Sequence, residues 1–343
     1  MKKFLRLMPY ALCLSALCVQ SADAFTYNRN RVGLRLSGHA TGGAGMPEYT
    51  VYDYRIRAQA NYAVWNGWTL GAVYSVERTG VDREYFYNDI FIFTESPYGR
   101  VELGWTESVA AKLGVGLPDV GSLRANSTPL FYDMTGARNV IANPVATGTR
   151  YAFRATTVTV PTRPVQVGMS VSPFNTNFDS ATDIGIRYRM PHGRTKYSVS
   201  IGAGYIDRPN NLSADSYAPN VTADSRYQLA LGTNIQHRSW NFGITARGIY
   251  DNNPITAPSD GLQGGIGASY DFLNWSGSLS YIFSAVGIWD NNPEHPNSYL
   301  THTGLASLRY KIDQYFSVFT SGGAVINAGD FSPFITAGIR ASF

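Results

Sequence analysis

The sequence predicts an all-β chain, a transmembrane antiparallel β-barrel of 16 strands. Three observations carry that expectation. Segments alternating apolar with polar residues run from one end of the chain to the other. An aromatic follows each short turn at once, and the chain stops on Phe343 at the end of an alternating apolar run.

The first clear strand pair sets the grammar. Tyr52, Tyr54, Ile56, Ala58, Ala60, Tyr62 and Val64 alternate with Asp53, Arg55, Arg57, Gln59, Asn61 and Ala63. A period of two sends the sets to opposite faces of a strand. Asn66-Gly67 is a hairpin signal, and Trp68, Leu70, Ala72, Tyr74 and Val76 then alternate with smaller or polar residues. The pattern recurs over 227–250 with a turn at His237-Arg238-Ser239, over 261–286 with a turn at Leu273-Asn274, and over 298–325 with a turn at 312–314. Trp68, Trp240, Trp275 and Tyr315 follow these turns. A membrane barrel gathers rings at the water–lipid boundary, whereas a soluble sandwich scatters them through its core. Longer polar connections, such as 207–223, 251–260 and 287–297, alternate with the short turns. That is the asymmetry of periplasmic turns and external loops. The strands over 85–94, 149–156 and 165–172 carry the weakest pattern, so counts of 14 and 18 stay open beside 16.

At the other end, Lys2, Lys3 and Arg6 precede an apolar stretch over 7–19 and the small-residue site Ala22-Asp23-Ala24. This layout reads as a secretory signal peptide over 1–24, too short in its apolar part to span a bilayer as a helix. The barrel then occupies 25–343. Cys13 and Cys18 both lie in the leader, which removes disulfides, zinc-thiolate sites and cysteine nucleophiles from the mature chain. Without the leader, 25 basic side chains face 23 acidic ones, a balance that gives no footprint for nucleic acid. Only Lys112, Lys196 and Lys311 among those bases are lysines. Arginine keeps its charge at any accessible pH and suits fixed charge in a confined space.

Catalytic and metal chemistry find little purchase. His39, His192, His237, His295 and His302 have no metal-ligand spacing, and neither a Gly-x-Ser-x-Gly elbow nor a phosphate-binding loop is present. Glycine runs such as Gly264-Gly265-Ile266-Gly267 fall within strands, where they allow close packing and curvature. The repeated Asp-Asn-Asn-Pro at 251–254 and 290–293 is explained by turn chemistry. No cofactor and no metal are expected.

The stretch from Asp89 through Glu95-Ser96-Pro97-Tyr98-Gly99 to Arg100-Val101-Glu102-Leu103-Gly104 resembles the strand–turn–strand preceding the constriction loop of Gram-negative general porins. The strand-poor stretch over 106–148 follows it, and in that family the third external loop folds into the lumen. The family's acidic Pro-Glu-Phe-Gly-type loop signature is not matched residue for residue, so the narrowing is assigned by position, to about 106–148. The resemblance implies a passive, water-filled channel for small hydrophilic solutes and ions in the bacterial outer membrane. It also implies a homotrimer, contact with lipopolysaccharide and outer-membrane lipids, and Phe343 as the signal read by the barrel assembly machinery. Leu34, Leu36, Gly38 and Ala40 face outward, toward lipid or a neighbouring subunit.

A charge facing lipid at mid-bilayer costs roughly 2–4 kcal/mol, so the arginine-bearing faces point into the lumen. Arg35, Arg55 and Arg57 are expected to form a basic patch, with Arg187 and Arg189 also inward and Glu107, Asp119 and Asp133 supplied from the long loop. Two roles are open to these charges. They set a transverse field that orders water and favours polar solutes, or they pair and pin the loop to the wall. Weak anion preference or near-neutral selectivity is the expectation. Two other classes fit the same barrel: an outer-membrane lipase or protease with its triad at one rim, and a structural or adhesin barrel plugged by the long segment.

Overall fold

The structure is a computed structural model, and it describes residues 26–29, 31–46, 49–65, 67–80, 84–118, 120, 149–156, 164–175, 178–207, 224–252, 261–286, 299–327 and 330–343. The leader expected over 1–24 and most of the loop after Val120 lie outside these residues.

A short strand β1 (Thr26–Arg29) leads into 16 long ones: β2 (Val32–Met46), β3 (Tyr49–Ala63), β4 (Thr69–Gly80), β5 (Glu84–Ser96), β6 (Gly99–Trp105), β7 (Thr149–Thr156), β8 (Val165–Asn175), β9 (Phe178–His192), β10 (Thr195–Asp207), β11 (Ser225–His237), β12 (Trp240–Asn252), β13 (Gly261–Phe272), β14 (Trp275–Val286), β15 (Tyr299–Lys311), β16 (Phe316–Asn327) and β17 (Asp330–Ser342). Each long strand pairs antiparallel with its sequence neighbours, and β17 pairs with β2 from Ile335↔Met46 to Ser342↔His39. Every long strand therefore has a hydrogen-bonded partner on both sides, the arrangement that removes exposed sheet edges. The count of 16 stands, and the three weak segments are β5, β7 and β8. The added β1 pairs with the start of β2, from Thr26↔Arg35 to Arg29↔Val32.

Alternation fixes which way each side chain points. On β12, Phe242, Ile244 and Tyr250 are exposed while Thr245, Arg247 and Asp251 are buried. An exterior of large apolar groups over an interior of hydroxyls and charges is the inverse of a soluble barrel, and it makes the outer face a lipid face. Aromatics bound that face at two levels. Trp240 packs on Tyr270 with ring centroids 4.5 Å apart and Trp275 on Tyr310 at 4.7 Å, beside the short turns. Near the opposite end, Tyr227 lies 5.2 Å from Tyr205 and 6.4 Å from Tyr250. Trp240 and Tyr250 are separated by about 33 Å of strand, which a tilt near 40° reduces to about 25 Å, the height of an outer-membrane apolar band.

The turns are tight, and some are strained. Arg238 and Leu273 each take φ 53° without being glycine, while Gly193 takes φ 58° at the equivalent turn. Asn66-Gly67 was expected as a two-residue hairpin, but β3 ends at Ala63 and β4 starts at Thr69. The connection is longer, closed by Trp68 N–H to the Trp65 carbonyl at 2.8 Å and Val64 N–H to the Trp68 carbonyl at 2.9 Å. At the terminus, Phe343 N–H donates to the Gly38 carbonyl at 3.0 Å and Gly38 N–H to the Phe343 carbonyl at 2.8 Å. A Cβ on Gly38 would sit 2.6 Å from the Phe343 ring, so the absent side chain is the seat of the terminal aromatic.

Candidate pore constriction

After β6 the chain turns inward. Ser108 caps a single helical turn, α1 (Val109–Leu113), its side chain accepting from Ala111 N–H at 3.2 Å. The helix packs on β8, β9 and β10, with Val109 and Leu113 almost wholly buried. The sequence reading missed this helix, because one turn leaves no periodic signal.

Side-chain oxygens on the wall receive the loop backbone. Ser170 of β8 accepts from Val109 N–H at 3.1 Å, Asp183 of β9 from Ala110 N–H at 2.8 Å, Ser200 of β10 from Val115 N–H at 2.8 Å, and Ser278 of β14 from Val120 N–H at 3.2 Å. Glycines mark the same path. A Cβ on Gly185 of β9 would lie 3.0 Å from Ala110 Cα, on Gly232 of β11 2.0 Å from the Val115 oxygen, and on Gly243 of β12 2.5 Å from Pro118. The wall thus carries a backbone-width channel in which the loop lies, with acceptors set where its N–H groups fall.

Two clusters hold the loop's base. Arg187 donates to the carbonyls of Lys112 at 3.0 Å and of Leu113 and Gly114 at 2.5 Å, satisfying the open end of α1. Glu102 accepts from Lys112 and, at 2.8 Å, from Arg100 Nε, while Arg100 also reaches Glu95 at 2.9 Å. Arg100 stands 3.8 Å from the centroid of Phe93, which packs inward with Val73 and Phe91.

The other wall carries the cations expected of a pore lining. Ser37↔Arg57 and His39↔Arg55 are cross-strand pairs between β2 and β3, with Arg35 opposite Gln59. All three arginines share one face of these two strands. Arg55 lies 3.3 Å from Asp89 and 3.5 Å from Glu77, and His39 2.9 Å from Asp53. Arg35 and Arg57 join no hydrogen bond or ion pair among the described residues. Since β3 and β11 are eight strands apart in the order of 16, these two cations face the wall on which the loop lies.

The sequence-expected residues therefore divide. Arg35 and Arg57 have no hydrogen-bond or ion-pair partner among the described residues, Arg55 is compensated by wall carboxylates, and Arg187 is occupied by the loop. Arg189 is exposed toward the short turns and Glu107 is exposed at the base of the loop. Asp119 and Asp133 lie outside the described residues. The groups that sequence reasoning missed are the receivers: Ser170, Asp183, Ser200, Ser278 and the inward glycines. Only the register of neighbouring strands brings them into one row.

No family model matches the chain, and no curated protein matches it in sequence. Solved structures do. One is a Salmonella typhi OmpF complex with daunomycin, at TM-score 0.66 and 11% identity, covering 93% of this chain and 100% of that one. The trimer form of OmpT, an outer membrane protein of Vibrio cholerae, matches at TM-score 0.63 and 10% identity over 92% and 100%. An anion-selective porin from Comamonas acidovorans matches at TM-score 0.61 and 11% identity over 91% and 100%. With its lipid-facing exterior, the chain has the fold of the 16-stranded porins of the bacterial outer membrane.

Proposed function

We propose that this protein is a porin in function as well as fold: a water-filled channel through which small hydrophilic solutes and ions diffuse passively, without a catalytic step. The observation that carries this is the loop from Ser108 to Val120. Its hydrogen bonds to β8, β9, β10 and β14 hold it against one wall, opposite the cations of β2 and β3. A backbone pinned to one side narrows a lumen without needing to fill it. Arg35 and Arg57 then supply net positive potential across the narrowing, while Glu77 and Asp89 offset Arg55. Weak anion preference follows, and Glu107, Arg187 and Arg189 line the same passage.

The outer surface supports assembly as a homotrimer. On β2 the outward positions Ala40, Gly42 and Ala44 are small and lie beside Ala341, Ile339 and Ala337 of β17, so Ile339 stands as a single ridge on a low-relief strip. The aromatic levels would meet lipopolysaccharide and other outer-membrane lipids. Phe343, seated on Gly38, serves as the assembly signal, and residues 1–24 as the export leader.

Liposome swelling with small sugars, followed by planar-bilayer recording, tests the reading. Expected are sugar entry, conductance lost in steps of three, and a salt-gradient reversal potential of weakly anionic sign. A barrel that admits no sugar is plugged. Strong cation selectivity defeats the role given to Arg35 and Arg57. Lipid or peptide turnover abolished by one Ser or His change defeats the channel-only reading.

A further inference from the structure

On the wall that carries the loop, four residues along β12 from Gly243 toward the long-connection end, Arg247 is only 6% exposed. That places it about 13 Å beyond the loop's crossing. Its neighbours do not neutralise it. Arg226 and Asp251, directly paired between β11 and β12, form a bidentate ion pair at 2.7 and 2.9 Å, so Asp251 is already matched by one guanidinium. Arg247 donates through one terminal nitrogen to the amide oxygen of Gln228 at 2.8 Å and joins no ion pair among the described residues. Its Nε has no partner.

Two neighbouring groups are in the same condition. Gln263 lies directly across from Arg247 on β13, and Thr245 is the next inward residue on β12. The Gln263 Oε1 and Thr245 Oγ1 are buried and unpartnered, with the residues 7% and 6% exposed. A buried cation without a counter-charge is costly, and so is each buried polar atom left without a hydrogen bond. Three such atoms on adjacent positions of one wall describe a ligand's complement.

We propose that Arg247, Thr245 and Gln263 form a binding site for a small oxyanion bearing a hydroxyl, of the hydrogen-phosphate or hydroxycarboxylate type, on the external side of the constriction. The guanidinium Nε and the Thr245 hydroxyl donate to anionic oxygens, and the Gln263 carbonyl oxygen accepts from the ligand's hydroxyl. The Arg226–Asp251 ion pair flanks the site across β11 and β12. Lying on β12 and β13, the site is separate from Arg35 and Arg57 on β2 and β3.

The test is calorimetric titration of the folded full barrel in detergent with inorganic phosphate, which needs no conduction. Saturable binding of phosphate to the wild type is expected, weakened at least tenfold in Arg247→Gln. Arg247→Lys, which keeps the charge and loses the planar fork, should fall between them. Lys196→Gln removes the same charge near the short turns and should leave binding intact. Absence of saturable binding to the wild type, equal binding by Arg247→Gln, or equal loss in Lys196→Gln overturns the proposal. So does complete competition by equimolar chloride, which would mark a simple charge effect. If Arg247→Gln does not fold, Thr245→Val and Gln263→Leu carry the test, each expected to weaken binding several-fold. A barrel that binds phosphate but passes no current defeats the channel and leaves the anion site standing.

Discussion

Two walls of one barrel use inward arginine in opposite ways. On β9, Arg187 spends its donors on the carbonyls that end α1, and the wall around it is cut back to glycine where the loop passes. On β2 and β3, Arg35 and Arg57 share the inward face and join no hydrogen bond or ion pair among the described residues. Residue type and strand parity are the same on both walls. What differs is the element packed against each, which teaches that an inward charge becomes a fastener or a field source according to what lies opposite.

The most damaging way to break that contrast is Arg187→Ala. It removes charged hydrogen bonds to part-buried carbonyls, worth roughly 3 kcal/mol together. Denaturant unfolding in lipid should register the loss, and single-channel traces should become noisy as the loop loosens. A quiet channel of wild-type stability would mean that Arg187 fastens nothing. Next comes Gly232→Val, whose Cβ must displace the Val115 carbonyl at an overpacking cost of about 2 kcal/mol. Conductance should fall as the loop is pushed from the wall into the lumen, whereas Gly304→Ala, which points into open space, should alter nothing.

The opposite wall gives smaller effects. Arg57→Gln should raise the energy of an anion at the narrowing by on the order of 1 kcal/mol and move the reversal potential toward cations. Stability should not change, since the side chain has no partner to abandon. Arg55→Gln should move selectivity the same way but also lower stability, because Asp89 and Glu77 are left close together. Equal stability of the two variants would erase the distinction between open and compensated arginines. Smallest is Leu273→Gly, expected to gain about 1 kcal/mol by relieving a left-handed backbone at a turn. No change in the unfolding midpoint would show that the turn is not strained.

Most of the barrel was legible because a strand's two faces answer to different media. Phe242, Ile244 and Tyr250 against Thr245, Arg247 and Asp251 need no partner strand to be sorted. The same logic placed Arg35, Arg55, Arg57, Arg187 and Arg189 inward. It could not separate Arg57 from Arg187, since parity carries no information about what lies across a lumen. Nor could it find α1 or the β1 strand, each too short to show a period.

By itself, the sequence determined the all-β class, a barrel of about 16 strands and the aromatic level beside the short turns. All of these follow from local alternation and composition. Only the tertiary structure decided the rest. Residues distant in the chain, Ser170, Ser200, Gly232 and Ser278, become one track for the loop through strand register alone. Arg247 is likewise set apart from Arg226 by register, since Asp251 lies directly across from Arg226 and four residues along β12 from Arg247. Charge and hydroxyl content are written in the residues, but their neutralisation depends on cross-strand geometry, and that exists only once the sheet has formed.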